Sequence, residues 1–241
     1  GQQNPHIING ELFAIEHASS DIGGTAGIRS LYTFITSDED RRQLLLGQRA
    51  PRIDKSLKLS QSYHPDYDDI ILKAKQAQDY FLLIGPPGTG KTSQALQFLV
   101  REQLATNPTS HSSTPKSQSS ILLLAYTNRA VDEICGMLTA NHLDYVRIGN
   151  EFSCDPKYSD HLLSSLLGEN PNLASIREKI SSAQIIVATT STMSSRSALF
   201  NIKHFDLAII DEASQILEPN IVGILSAGHG EERSIERFIL I

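Results

Sequence analysis

The eight residues Gly85-Pro86-Pro87-Gly88-Thr89-Gly90-Lys91-Thr92 constrain this chain more than any other stretch. They match Gly-x-x-x-x-Gly-Lys-[Ser/Thr] in full. An apolar run, "YFLLI" (80–84), leads into them, and a helical pattern at Ala95, Leu96, Leu99 and Val100 leads out. Strand, glycine loop and helix together form a phosphate cradle. Glycines let successive N–H groups turn inward with no Cβ in the way. The helix starting near Gly90 aims its free N–H groups and positive dipole end at the same anion. Lys91 reaches the β and γ phosphates, Thr92 offers its hydroxyl to Mg²⁺, and Ser93 completes the cradle. The expected ligand is a nucleoside triphosphate with its metal.

Strand and helix patterns alternate from residue 80 onward. "ILLLAY" (121–126), "YVRI" (145–148), "QIIVA" (184–188), "DLAII" (206–210) and "RFILI" (237–241) read as buried strands. The stripe Val131, Ile134, Cys135 and Leu138 predicts a helix, with Asn128 as its cap and Asn141 as its stop. "HLLSSLLG" and "NLASIREKI" read as helices. Such alternation predicts an α/β fold: a parallel sheet with helices on both faces. Residues 65–241 are assigned to this domain and 1–64 to a partly helical N-terminal segment. In that segment Ser37 is the expected cap of a helix ending at Gly47, and "DIGGTAG" (21–27) reads as a turn. Eleven of the fifteen residues of "TNPTSHSSTPKSQSS" (106–120) are Ser, Thr or Pro. That composition can bury little, so a flexible loop is expected there.

Composition excludes several classes. No apolar run approaches the length of a membrane span, and "GQQNPHIING" lacks the order of a signal peptide. Two cysteines without a CxxC argue against a disulfide framework or a zinc site. A cytoplasmic location is expected, or a nuclear one in a eukaryote. The net charge is −6, so any nucleic acid must bind through a local groove rather than bulk charge.

A phosphate loop needs a carboxylate for its metal, and "LAIIDEASQ" (207–215) supplies one. Asp211 and Glu212 emerge at the carboxyl end of an apolar strand, where ligands sit in open α/β sheets. Asp211 is the expected Mg²⁺ ligand, and Glu212 polarises the attacking water.

With "GPPGTGKT", "DEASQ", "AYTNRAVDEI" (125–134) and "VATTST" (187–192), the chain resembles the superfamily 1 helicases, in the group of the nonsense-mediated-decay and replication nuclease-helicases. The resemblance covers about residues 65–241. It implies a RecA-like first motor domain that binds ATP and Mg²⁺ and couples hydrolysis to translocation on single-stranded nucleic acid, with DNA favoured over RNA. It implies that Gln215 couples the γ-phosphate to the rest of the machine, alongside Lys91 and Glu212. It also implies that Thr127, Asn128, Thr189 and Thr190 line the strand's track. In this family a glutamine upstream of the loop reads adenine. Gln61, Gln76 and Gln78 are candidates, none at the family's spacing, and Tyr63 or Tyr67 could stack on the base instead. The family also continues past "RFILI" with Gly-Asp and a glutamine, then a second RecA-like domain carrying arginines. The sequence stops at Ile241, so residues 1–241 alone are expected to bind nucleotide but hydrolyse it poorly; a monomer is expected. Two other readings stay open: another P-loop ATPase such as an AAA+-like remodeller, and a nucleotide-dependent scaffold without unwinding.

Overall fold

A computed structural model of the chain describes residues 22–86, 88, 90–105, 119–168, 170–229 and 232–241. Helices α1 (Ile22–Thr36), α2 (Glu39–Leu45) and α3 (Asp68–Gln76) precede strand β1 (Tyr80–Leu82). A π-turn at Lys91–Ala95 runs into α4 (Leu96–Ala105), followed by β2 (Ile121–Ala125), α5 (Asn128–Ala140) and β3 (Val146–Ile148). Two 3₁₀ turns lead to α6 (Leu163–Leu167), α7 (Leu173–Ser182), β4 (Ile185–Thr189) and α8 (Thr190–Ser195). The chain then forms β5 (Phe205–Asp211), α9 (Glu218–Leu225), a small hairpin of β6 (Gly228–His229) and β7 (Glu232–Arg233), and β8 (Ile235–Leu240).

Six strands form one parallel sheet in the order β1-β8-β5-β2-β4-β3. The fold is therefore the α/β architecture expected. Alternate residues of each strand feed opposite faces, as the pleat requires. Ile121, Leu123, Ile185, Val187, Leu207 and Ile209 pack with α3, α4 and α5. Leu122, Leu124, Ile186, Ala188, Ala208 and Ile210 pack with Ile180, Met193 and Ile221 from α7, α8 and α9. Both faces are covered, which explains why β2, β4 and most of β5 read as unbroken apolar runs.

Four local expectations are corrected. "DIGGTAG" is no turn from Ile22 on: residues 22–27 belong to α1. A glycine of α9 lets α1 pack closely: Ser30 lies against Gly223, and its Oγ accepts the Gly223 N–H at 2.7 Å. Asp38, not Ser37, caps α2, because its carboxylate accepts the Arg41 N–H at 2.9 Å. Thr127, not Asn128, caps α5; its Oγ1 accepts the Ala130 N–H at 3.1 Å. The loop expected at 106–120 is too long at its end. Residues 106–118 lie outside the described ones, but Ser119 and Ser120 are buried. Ser119 Oγ accepts from Gln103 Nε2 at 2.9 Å, and the Ser120 N–H donates to Asp206 at 2.7 Å.

Charged groups tie residues 38–52 to the sheet. Asp79, just before β1, has a fully buried side chain and binds both Arg49 and Arg52. Arg49 also bonds Asp40, and Arg233 bonds Asp38 and Asp40.

Candidate functional site

Sheet register brings the sequence motifs to one edge. Leu82, Leu240, Ile210, Leu124, Ala188 and Ile148 lie side by side across all six strands. One residue further along, Asp211, Ala125 and Thr189 form the next row. The ladder continues past the strands: the Leu83 N–H donates to Leu240 O at 2.8 Å, and the Ile241 N–H to Ile210 O at 2.9 Å. Gly85, Asp211, Thr127 and Thr189 therefore stand within a few residues of one line at the carboxyl edge. β8 separates β1 from β5, so the chain entering the glycine loop and the Asp211 strand are two strand spacings apart, about 10 Å. That gap suits a phosphate group and its metal.

Gly88 and Gly90 both take left-handed φ, +78° and +74°. These are the positions where the loop needs glycine to turn its N–H groups inward. Gly90 O starts the following helix by accepting from Gln94 N at 2.8 Å and Ala95 N at 3.0 Å. The local wide turn, residues 91–95, sits where the loop becomes helix. Pro87 and Thr89, and the side chains of Lys91 and Thr92, lie outside what the structure describes.

A family model described as an AAA domain matches residues 65–175 and 170–241. The chain belongs to this family. Among curated relatives, it is 31% identical over 203 residues to the DNA replication ATP-dependent helicase/nuclease JHS1 of Arabidopsis thaliana, covering 80% of this chain and 14% of that one. It is 28% identical over 222 residues to the helicase/nuclease DNA2 of Saccharomyces cerevisiae, covering 85% and 13%. With human DNA2 it shares 32% over 154 residues, covering 64% and 13%. The chain thus spans about one seventh of the length of these relatives, and their descriptions agree with the superfamily 1 resemblance. Among solved structures, the UvsW helicase of bacteriophage T4 aligns with a TM-score of 0.45 and 14% identity, over 85% of this chain and 61% of that one.

In this AAA domain Asp211 is buried, and its Oδ1 accepts the Glu212 N–H at 3.1 Å. Glu212 is half-buried and adopts a left-handed backbone, φ 54° and ψ 34°. Such a conformation in a glutamate is strain held by its surroundings. The surroundings here are specific: the Ala213 N–H donates to Ile241 O and the Gln215 N–H to Glu212 O, each at 2.9 Å. The turn re-aims the chain directly after Asp211. Gln215 ends the turn with its side chain exposed.

Thr127 and Asn128 are exposed at the start of α5. Thr189 and Thr190 are not: both are buried. Thr189 Oγ1 caps α8 by accepting from Thr192 N at 3.1 Å and donates to Thr192 Oγ1 at 2.8 Å.

The upstream glutamines divide. Gln76 Nε2 donates to Leu57 O at 3.1 Å, and Gln78 Nε2 to Gln76 O at 3.2 Å. Both amides are thus engaged by backbone, while Gln61 is exposed. Tyr63 commits its hydroxyl to Glu102 at 2.8 Å. Glu102 also accepts from Lys75 Nζ at 2.5 Å and Ser60 Oγ at 2.7 Å. Burial raises the Glu102 pKa, but these bonds outweigh it and hold the carboxyl below its ordinary value. The effect is to pin residues 60–63 onto α4. Tyr67 is then left beside the glycine loop, with its hydroxyl 2.6 Å from where a Cβ on Gly90 would stand. Gln94 reaches the same point at 3.1 Å. Gln94 went unnoticed in the sequence, although its i+4 relation to Gly90 was there to be read.

Proposed function

We propose that this AAA domain is the nucleotide-binding motor domain of an ATP-dependent helicase that moves on single-stranded nucleic acid, DNA in preference to RNA. The observation that supports it best is the shared row of Asp211, Ala125 and Thr189, with the Asp211 strand two places from the chain entering the glycine loop. One edge thereby carries phosphate cradle, acid pair and the helix ends proposed for the strand. Residues Gly85 to Ser93 hold the phosphates through backbone N–H groups and Lys91. The residues fit Mg²⁺: one buried carboxylate, Asp211, ends the strand two places from the chain entering the glycine loop, and this ion takes few protein ligands besides phosphates and water. When bound, the ion offsets negative charge on the β and γ phosphates. Glu212, one residue past Asp211 in a left-handed turn, orients the attacking water and takes its proton. Gln215, at the end of the same turn, relays the state of the γ-phosphate. Thr127, Asn128, Thr189 and Thr190 are the proposed nucleic-acid contacts. Thr127 and Asn128 are open to a strand as they stand, whereas Thr189 and Thr190 act through the start of α8. Among the described residues no helix is long and apolar enough to cross a membrane.

ATP hydrolysis by the full-length protein tests this, measured with and without single-stranded DNA. Strong stimulation, lost in Lys91→Ala, is expected. Turnover indifferent to nucleic acid would favour a remodelling ATPase, and absent turnover with intact nucleotide binding a scaffold.

A further inference from the structure

We infer that Phe152 is a base-stacking platform at the far end of the proposed nucleic-acid track, carrying one base of a single strand that runs past Thr127 and the start of α8. The inference rests on the helicase reading above. It adds a kind of contact, to a base face, that the hydroxyls and amides of that edge do not make.

Sheet order places the ring. β2, β4 and β3 are successive strands, so the segments leaving their carboxyl ends are Thr127, then Thr190, then Gly149. β2 and β3 lie two strand spacings apart, about 10 Å, a span that one strand can cross. Phe152 sits on the 3₁₀ turn Glu151–Ser153, just past β3. That turn is tied to α5, the helix that Thr127 caps. The buried Arg147 guanidinium pairs with Asp132 of α5 and donates from Nη2 to Ser153 O at 3.3 Å. The Asp155 N–H donates to the same Asp132 carboxylate at 3.2 Å. Asp132 lies about one helical turn beyond Asn128. The segment carrying the ring is therefore anchored close to the exposed Thr127–Asn128 end. β3 and β1 are the opposite ends of the sheet order, so this segment stands farthest from the chain entering the glycine loop.

Phe152 is 90% exposed, more than any other large apolar side chain among the described residues. A lone exposed phenylalanine on a slack loop would need no explanation. This loop is held on both sides of the ring. Asn150 Oδ1 accepts the Phe152 N–H at 3.0 Å, and Asn150 O accepts from Ser153 Oγ at 3.0 Å. The Cys154 N–H donates to Glu151 O at 3.2 Å. Behind it, the Arg147–Asp132 pair carries a desolvation cost, and what it secures is the course of residues 149–155. A fixed ring open to solvent suits stacking, which accepts any base because every base has a π-face. The local charge favours a base over a phosphate. Glu151 and Asp155 are the ionisable residues nearest to Phe152 in the chain, and both are acidic.

The test is fluorescence anisotropy on the full-length protein with two labelled strands of equal length, oligothymidine and a strand whose sugars carry no bases. Phe152→Ala should weaken oligothymidine binding by about five- to a hundredfold. Phe152→Trp should keep the affinity, and Phe152→Leu should fall with Ala, because an apolar side chain without a π-face cannot stack. On the baseless strand wild type and Phe152→Ala should bind equally. The salt dependence of oligothymidine binding should keep its slope in Phe152→Ala, since no phosphate contact is lost. All three variants should melt with wild type, as the ring is exposed. An equal loss on both strands, or a changed salt slope, would overturn the assignment by making the contact one to the backbone. Unchanged oligothymidine affinity in Phe152→Ala would overturn it too, leaving the ring to a protein partner. If wild-type protein bound neither strand, the helicase reading would fail first and this inference with it.

Discussion

Arg49 closes on Asp79 through two near-parallel hydrogen bonds, Nη1 to Oδ2 at 2.8 Å and Nη2 to Oδ1 at 2.9 Å. Arg52 adds its own N–H and side chain to the same carboxylate. Burial alone would raise the Asp79 pKa, but these donors outweigh it and hold the group far below its ordinary 3.8. A depressed carboxyl pKa stabilises the fold above the ordinary value, and that contribution fades as pH falls toward the folded value. Asp79→Asn should therefore cost about 3 kcal/mol at neutral pH, since it leaves Arg49 poorly compensated. The gap between variant and wild type should narrow below about pH 4. Urea melts at several pH values check this, and a gap that stays constant would show that the charge is not the cause.

Gly223 and Ser30 fix how α1 lies on α9. A Cβ on Gly223 would stand 2.5 Å from the Ser30 Cα, which is backbone and cannot rotate away. Gly223→Val should cost about 1–3 kcal/mol through overpacking. It should also speed amide exchange in α1 while β2 and β5 stay protected. Uniformly faster exchange would mean that α1 and the sheet open together.

Thr127 separates two roles that one substitution would confuse. Thr127→Ala removes the α5 cap and should cost about 1 kcal/mol. Thr127→Asp keeps a capping oxygen and suits the helix dipole, so stability should hold. A phosphate at this helix end would meet that new negative charge. Single-stranded DNA should therefore bind the stable Asp variant worse than the less stable Ala variant. Equal binding by Thr127→Asp and wild type would remove Thr127 from the strand's path.

The sheet was legible because its strands are buried on both faces, so Ile121–Ala125 and Ile185–Thr189 stand out as apolar runs. The glycine loop and the Asp211-Glu212 pair were legible because their chemistry demands fixed spacing. What hid was whatever depends on tertiary partners. The glycines of α1 signal a turn, and the helix they join lies against Gly223 of α9, far along the chain. Asp38 and Ser37 are equally good caps on paper, and the ion pair of Asp38 with Arg233 comes from far along the chain. Ser119 and Ser120 look like linker, yet Gln103 and Asp206 satisfy them inside the fold.

Glu212 joins backbone strain to the proposed chemistry, and substitutions can part them. At φ 54° its left-handed backbone costs a non-glycine residue about 1–2 kcal/mol. Glycine adopts that conformation freely but loses more freedom on folding, so the net gain from Glu212→Gly should be below about 1 kcal/mol. Glu212→Gln keeps both the strain and the side-chain shape, so its stability should match wild type. Both variants lose the carboxylate proposed to orient water. In the full-length protein both should therefore lose about 10²–10⁴ of the nucleic-acid-stimulated ATPase rate, while ATP still binds. The expected pattern is one variant more stable than wild type and one equal to it, with both inactive. A stability loss in Glu212→Gly would mean that side-chain contacts hold the turn, and the strain would then have no link to catalysis. Turnover persisting in Glu212→Gln would assign the water-activating role to another residue. The joint outcome matters because the bonds from Ala213 to Ile241 and from Gln215 to Glu212 are what keep the strained turn in place.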